Sequence, residues 1–484
     1  MQLDTPLLTT FIAYLIITLS LGVIAYKLTS NLSDYILGGR KLGPAVTALS
    51  VGASDMSGWL LMGLPGAVYL SGLNQAWIGI GLVAGAYINW LLVAGRLRTF
   101  TEKAGNSLTL PDFLEHRFND SSGILRVVSA VTILVFFTLY VSSGMKAGAV
   151  LFEQVLNVPY TTALWVGALI IVGYTFVGGF LAVSWTDFFQ GCLMLLALLI
   201  VPWVAIQADG GVSATWQALP PAHQDIWHET SLIGIVSLLA WGLGYFGQPH
   251  ILARFMAIES AKHLPTARRI SMSWMILSLI GALLVGLAAQ VYFHDQPLEN
   301  AETVFIVLSK TLLNPWVAGI IVAAILSAVM STIDSQLLVS SSVVTEDFYR
   351  RWLRPEASDK ELVWVGRGAV IAVSILAILL AADEDSTVLA LVSYAWAGFG
   401  ASFGPTLLLA LFWRRYTKLG AITSLVSGAL TVVIWKQLEG GLFDLYEIVP
   451  GFIIALLLGG LISKCSNPPS DSHQLFSSNN ERSA

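Results

Sequence analysis

The sequence predicts an all-helical membrane protein of many spans, built around two broken helices. Three observations predict it. Of 484 residues, 56% are hydrophobic and only 11% charged, whereas soluble domains carry roughly 25% charged residues. Apolar stretches of about 20 residues, the length that crosses a bilayer, follow one another along the chain. Two of these stretches are interrupted near their middles by glycine, proline and polar residues. No soluble domain of useful size is left over. The net charge of −5 says less than where the charges fall. Cys192 and Cys465 give neither a disulfide framework nor a metal motif.

Thirteen spans are expected, near 7–27, 44–71, 74–97, 124–155, 159–178, 180–208, 231–253, 268–294, 315–345, 361–382, 386–413, 417–436 and 445–464. The first has no basic residue before it and Lys27 after it, which suits a retained span with its N-terminus outside rather than a signal peptide. The connections that follow odd-numbered spans, together with the C-terminal tail, hold or flank 22 of the 25 Lys and Arg. Lys310 and Lys436 flank the opposite connections, and Lys146 lies inside the fourth span. Basic residues favour the cytoplasmic side, so the C-terminus is expected there. Residues 98–123 and 296–313 read as short helices at the two faces, 209–230 as an external loop, and 465–484 as a disordered polar tail.

The second span carries VGASDMSGWL at 51–60. Glycine has low helix propensity, and Ser and Asp compete for backbone hydrogen bonds. Irregular backbone at membrane depth is tolerated where it is buried in protein or lines a watery cavity. The seventh span carries WGLGYFGQPH at 241–250, where Pro249 removes a backbone donor. Paired breaks in corresponding positions of two halves point to an inverted-repeat transporter. The repeats would cover about 44–208 and 231–413, with an extra span at 7–27 and two more within 417–464, all in one domain of residues 1–464. Gly79, Gly81 and Gly85 in the third span read instead as packing positions.

A sodium ion wants oxygen ligands. The first break offers main-chain carbonyls near Ala53 and Met56. In the ninth span Ala328, Ser331, Thr332 and Ser335 recur at helical spacing on one face, with two neutral hydroxyls among them. Four ionisable residues lie within spans: Asp55, Lys146, Asp187 and Asp334. Such residues are functional candidates by default. Asp55 sits in the break, placed to draw a cation or hold unwound backbone. Asp187 has two readings, a sodium-attracting carboxylate on the cytoplasmic path or the partner of a basic loop. Asp334, off the hydroxyl face, would steady it. Lys146 either snorkels outward or pairs with an acid. His250 and Arg254 follow the second break, serving an inner gate or lipid headgroups.

The strings DYILGGRKLGP at 34–44, LSVGASDMSGWLLMGLPGAVYLSG at 49–72, GGFLAVSWTD at 178–187, WGLGYFGQPHILARFMA at 241–257, AVMST at 328–332 and LVSYAWAGFGASFGP at 391–405 resemble the sodium/solute symporter family, in its proline-carrying branch. The resemblance covers essentially residues 1–464. It implies a thirteen-helix, all-α fold with a five-plus-five inverted-repeat core of the leucine-transporter type. It also implies a bacterial inner-membrane protein that imports L-proline with co-transported sodium. Sodium would be bound by carbonyls at Ala53, Met56 and Ala328 and by the hydroxyls of Ser331 and Thr332. Asp55 is similar to an aspartate needed for sodium-driven transport. Ser57, Gly58 and Trp59 match substrate-side positions, Trp241, Tyr245 and Pro249 match the substrate face of the seventh span, and Tyr140 completes the pocket. Arg40 and Asp187 match positions that serve coupling or ion access. Lys146 departs from the apolar residue expected there, and Asp334 varies between members.

A proline-sized zwitterion suits these residues. Its carboxylate fits a helix break with free amide donors, and its ammonium fits the faces of Trp241, Tyr245 or Tyr140. Trp77, Trp203 and Trp316 read as an interfacial belt. Gln248 is the single amide side chain near the second break, where a sugar would need several. The same fold carrying another small solute is the alternative. A channel would need a ring of filter carbonyls, and no enzyme motif stands out. Besides the bilayer, no nucleic-acid or protein partner is indicated.

Overall fold

A computed structural model describes residues 5–26, 32–177 and 179–467. Lys27 and the expected tail from 468 onward lie outside them. Every regular element among the described residues is a helix, apart from one isolated parallel bridge between Leu42 and Ile258. Nine of their helices are long and apolar enough to cross a membrane, or ten with the pair Leu232–Gly247 and Pro249–Ala257, bent by 46°. This is fewer than the expected thirteen. Thr5–Leu21 and Tyr160–Gly173 are apolar but shorter, and Trp59–Lys103 runs on as one 45-residue helical stretch. That stretch turns at Gly72, whose φ of 80° and ψ of −153° no helix contains.

Local chemistry sets many of the ends. Pro44, Pro249 and Pro315 open helices at the first turn, where a missing N–H costs nothing. Ser231, Ser358, Thr387 and Thr417 cap the helices that follow them. Asn119 and Asn157 close helices in the left-handed conformation.

Burial sorts the helices into core and rim. The most apolar windows of Pro315–Leu353 and Val388–Phe412 are each 83% buried, against 33% for Lys418–Trp435 and 39% for Ile448–Cys465. The rim helices expose Leu430, Ile434, Leu457 and Leu461, an apolar surface suited to lipid rather than water. Close backbone contact fixes the core. A Cβ on Gly85 would lie 2.1 Å from the Gly242 carbonyl oxygen, and one on Gly81 would lie 2.2 Å from that of Leu239. The third expected span therefore packs directly on the first half of the seventh, as small residues allow in membranes.

Candidate ion and substrate site

Helix Pro44–Asp55 stops at Met56, which has φ −82° and ψ 76°. The Ser57 amide then donates to the Asp55 carbonyl at 3.0 Å, not to Ala53 as a continuous helix would require. A wide π-turn, Trp59–Gly63, restarts the helix. In the second break, the tight helix Ala240–Gly247 gives way to extended Gln248 (φ −80°, ψ 106°) before Pro249 begins the next helix.

Freed from its helix, the Ala53 carbonyl accepts from the Ser331 hydroxyl at 2.8 Å and the Thr332 hydroxyl at 3.4 Å. Ser331 also reaches the Ala328 carbonyl at 3.2 Å. Four of the five sequence-derived oxygen ligands thus meet in one buried place, across helices far apart in sequence. Met56, the fifth, is fully buried where the helix ends. A cation entering here would turn both hydroxyls round, so that oxygen lone pairs face the ion and the hydrogens turn away.

Asp55 is 3% exposed. One carboxylate oxygen accepts from the Tyr245 hydroxyl, and the other has no hydrogen-bond partner. The two breaks are therefore joined by one polar bond. The Tyr140 hydroxyl and the Gln248 side-chain oxygen are also buried without partners. Around them stand aromatic rings. Trp59 and Trp241 lie 6.0 Å apart at 40°, and Trp241 stacks on Trp396 at 6.5 Å and Tyr446 at 5.7 Å. Tyr245 meets Trp396 edge-on at 5.2 Å.

The remaining residues expected on the substrate side fall differently. The Ser57 hydroxyl accepts a long 3.5 Å bond from the Trp59 amide, and its carbonyl accepts from the Leu60 amide at 3.0 Å. Gly58 is a close-packing point, since a Cβ there would sit 2.7 Å from that of Ala147. Gln248 donates to the Trp396 carbonyl at 3.3 Å. Pro249 lines a narrow crevice with Ile36, Leu37, Leu110 and Met256, toward the Arg40 loop rather than the tryptophans.

Asp187 pairs with Arg254 at 3.2 Å and accepts from Ser50 at 2.6 Å, all with the two side chains fully buried. Arg254 also donates to Ser50 and Ser335. Its partner is thus within the helices, not in a loop, and Arg254 does not reach lipid headgroups. Asp334 accepts from the Thr175 hydroxyl with one oxygen, and its other oxygen has no partner. Arg40, at φ 56°, donates to the carbonyls of Met256 at 2.6 Å and Ser107 at 2.7 Å. Burial and the neighbouring Arg98 push its pKa down to about 10, still charged at neutral pH. Lys146 donates to the carbonyls of Asp383 at 2.8 Å and Glu384 at 3.1 Å. It faces a cavity of about 530 Å³ shared with Glu153, Glu302, Glu384 and Asp385, away from the Tyr140 rings.

Sequence reasoning left three participants without a role. Trp396 and Tyr446 complete the aromatic set. Asn89 donates to the Tyr245 carbonyl at 3.0 Å. Its polar side chain in an otherwise apolar span was the available signal.

The model of the sodium:solute symporter family matches residues 35–428. The chain belongs to that family. It is 57% identical over 458 residues to the high-affinity proline transporter PutP of Bacillus subtilis (strain 168), spanning 93% of this chain and 96% of that one. It is 54% identical over 476 residues to the sodium/proline symporter of Escherichia coli (strain K12), spanning 96% and 94%. Among solved structures, a Na+-coupled sialic acid symporter superposes with a TM-score of 0.82 at 20% identity, over 96% of this chain and 99% of that one. Mhp1, a nucleobase-cation-symport-1 family transporter, superposes at 0.58 and 14% identity, over 94% and 99%. Both likenesses concern the fold. They support an all-helical transporter architecture for this multi-pass membrane protein.

Proposed function

We propose that this chain imports L-proline together with sodium, by alternating access around the two breaks. The observation that carries the reading is 57% and 54% identity, over nearly the whole chain, to two relatives named for proline transport. The protein is a transporter, not an enzyme. Sodium is its co-transported cargo, and no protein partner is needed for this reading.

The sodium site comprises the carbonyls of Ala53, Met56 and Ala328 and the hydroxyls of Ser331 and Thr332, with Asp55 supplying negative charge nearby. The gathering of Ser331 and Thr332 on the Ala53 carbonyl supports this. Proline lies among Trp59, Trp241, Tyr245 and Tyr140, with Ser57, Gly58 and Gln248 beside it and Pro249 toward the inner path. Unpartnered polar atoms on Asp55, Tyr140 and Gln248 support a ligand that carries its own donors and acceptors. Sodium binds first and orders the break, which completes the proline pocket. An inward membrane potential adds roughly 2.3 kcal/mol per charge per 100 mV.

The architecture is thirteen spans with a five-plus-five inverted repeat, in one domain over 1–464. Two features support it: the turn at Gly72 divides Trp59–Lys103, and the short apolar helices at Thr5–Leu21 and Tyr160–Gly173 match expected spans. The N-terminus is outside and the C-terminus cytoplasmic, in the bacterial inner membrane. On that orientation, Arg40 and Asp187 act on the inner side, where Arg40 grips Met256 and Arg98 donates to the Ile258 carbonyl at 2.7 Å. Asp334 steadies the hydroxyl-bearing helix.

Radiolabelled proline uptake into proteoliposomes tests the reading. Uphill accumulation that needs an inward sodium gradient and collapses with a sodium ionophore is expected. Uptake that is the same with potassium in place of sodium overturns it.

A further inference from the structure

Asn89 lies within the third expected span and is 1% exposed. The helix Ala76–Ile88 gives way there to a wide π-turn, Asn89–Val93. Such turns are rare inside helices and recur at functional sites. The Asn89 amide nitrogen donates to the Tyr245 carbonyl at 3.0 Å, while its side-chain oxygen is buried without a partner.

The backbone it reaches is short of donors. In a continuous α-helix the Tyr245 carbonyl would take the amide four residues on. That residue is Pro249, which has no N–H. Around Tyr245 the segment Ala240–Gly247 is a tight helix that includes Gly242, Gly244 and Gly247. Hydrogen bonds in such helices have poorer geometry, and glycine has low helix propensity. The segment therefore holds the Tyr245 peptide weakly by itself, and a neighbouring helix supplies the donor that Pro249 lacks. A leucine at position 89 would fill similar space without leaving an oxygen unpaired, so packing alone does not account for the amide.

A second bond carries the effect onward. The Tyr245 hydroxyl donates to Asp55 in the first break. The two ends of this one residue are thus held from two sides, its carbonyl by Asn89 and its hydroxyl by Asp55. Where the Tyr245 backbone sits decides whether its hydroxyl reaches the carboxylate.

We propose that Asn89 is a positioning residue for the ion site. Its amide replaces the backbone donor missing at Pro249, fixes the Tyr245 peptide, and so keeps the Tyr245 hydroxyl on Asp55. Asn89 itself touches neither cargo. The inference rests on the sodium assignment above and adds a third helix to it.

The test measures the sodium concentration for half-maximal proline uptake by the full chain in proteoliposomes, and labelled-proline binding at saturating sodium. Asn89→Leu keeps the size and loses the donor. Asn89→Ser loses it by another route, because a serine hydroxyl within a helix turns back to its own carbonyls. It keeps the comparison available if Asn89→Leu does not fold. Each variant is expected to raise the sodium requirement about fivefold, the effect of one neutral hydrogen bond, and to leave proline binding at saturating sodium within about threefold.

The deciding comparison is made in a Tyr245→Phe background, which has already lost the bond to Asp55. Residues that act through one bond are not additive, whereas independent packing defects are. Asn89→Leu or Asn89→Ser should therefore add less than about twofold there. An effect on the sodium requirement that persists in full in the Tyr245→Phe background overturns the proposal. So does a sodium requirement that neither single variant changes. Proline uptake by the unmodified protein that ignores sodium would instead overturn the reading beneath it.

Discussion

The Tyr245 hydroxyl donates to the Asp55 carboxylate, and through that bond the two broken helices touch at their breaks. The other carboxylate oxygen is left without a partner. Hydrogen bonds to charged groups contribute about 1.5–3 kcal/mol. Tyr245→Phe should therefore raise the sodium concentration for half-maximal uptake by about tenfold, a shift worth about 1.4 kcal/mol. Proline KM at saturating sodium should move less. Sodium titrations of initial uptake rates check this.

Thr332 and Ser331 both reach the Ala53 carbonyl. Losing one neutral oxygen donor costs about 1 kcal/mol, so Thr332→Ala should raise the sodium requirement about fivefold, and Thr332→Ser should restore it. Equal uptake by all three proteins across a sodium titration would remove Thr332 from the ion site.

Trp241 is flanked by Trp59, Trp396 and Tyr446. Trp241→Ala should weaken proline binding at saturating sodium by about tenfold or more, since an aromatic pair alone is worth about 0.5–1.5 kcal/mol beyond its buried area. Trp241→Phe should lose less. Equilibrium binding of labelled proline reads the difference.

Asp187 and Arg254 form an ion pair with no solvent exposure. Removing one partner of such a pair typically costs about 3–5 kcal/mol, because the other charge stays buried. Asp187→Asn should lower the melting temperature of the purified protein, and the double change Asp187→Asn with Arg254→Gln should recover part of the loss. A double variant no more stable than the single one would argue against mutual neutralisation.

His116 and Asp112 form a pH-dependent contact at 3.1 Å in the connection after the third expected span. The Asp112 hydrogen bond outweighs burial and raises the His116 pKa. Burial acts to raise the Asp112 pKa, but His116 and Arg126 together bring it below the ordinary value. A raised histidine contributes stability fully below its unfolded pKa of about 6.5 and loses it as pH climbs through the folded value. A lowered aspartate contributes above about pH 3.9 and loses it as pH falls through the folded value. Thermal melts from about pH 6 to 8.5 should therefore show a decline in the native protein that His116→Gln lacks.

Much of the site was legible because membranes are unforgiving solvents. Gly, Ser, Asp and Pro inside apolar stretches are conspicuous, so both breaks and the Asp55, Ser331 and Thr332 positions could be found by eye. What remained hidden depends on where helices cross. Asp187 reads equally well as an ion-attracting group or a structural acid until Arg254 is seen beside it. Lys146 lies only six positions beyond Tyr140, yet it faces the Glu302 cavity, because six helical residues set it about a third of a turn off the Tyr140 direction and its long side chain reaches the Asp383 and Glu384 carbonyls on a distant segment. Helix count was blurred at Gly72, where the chain reverses while helical hydrogen bonding nearly continues.

The contact of Gly81 and Gly85 with Leu239 and Gly242 constrains how the protein can move. Backbones that meet without intervening side chains have no compressible layer between them. Helix Ala76–Ile88 and segment Leu232–Gly247 must then travel as one rigid body. The hinge of the second broken helix is left to Gln248, the extended residue at its 46° bend. Distance probes placed on these two segments would report a constant separation throughout the transport cycle, while a probe beyond Pro249 would swing against both.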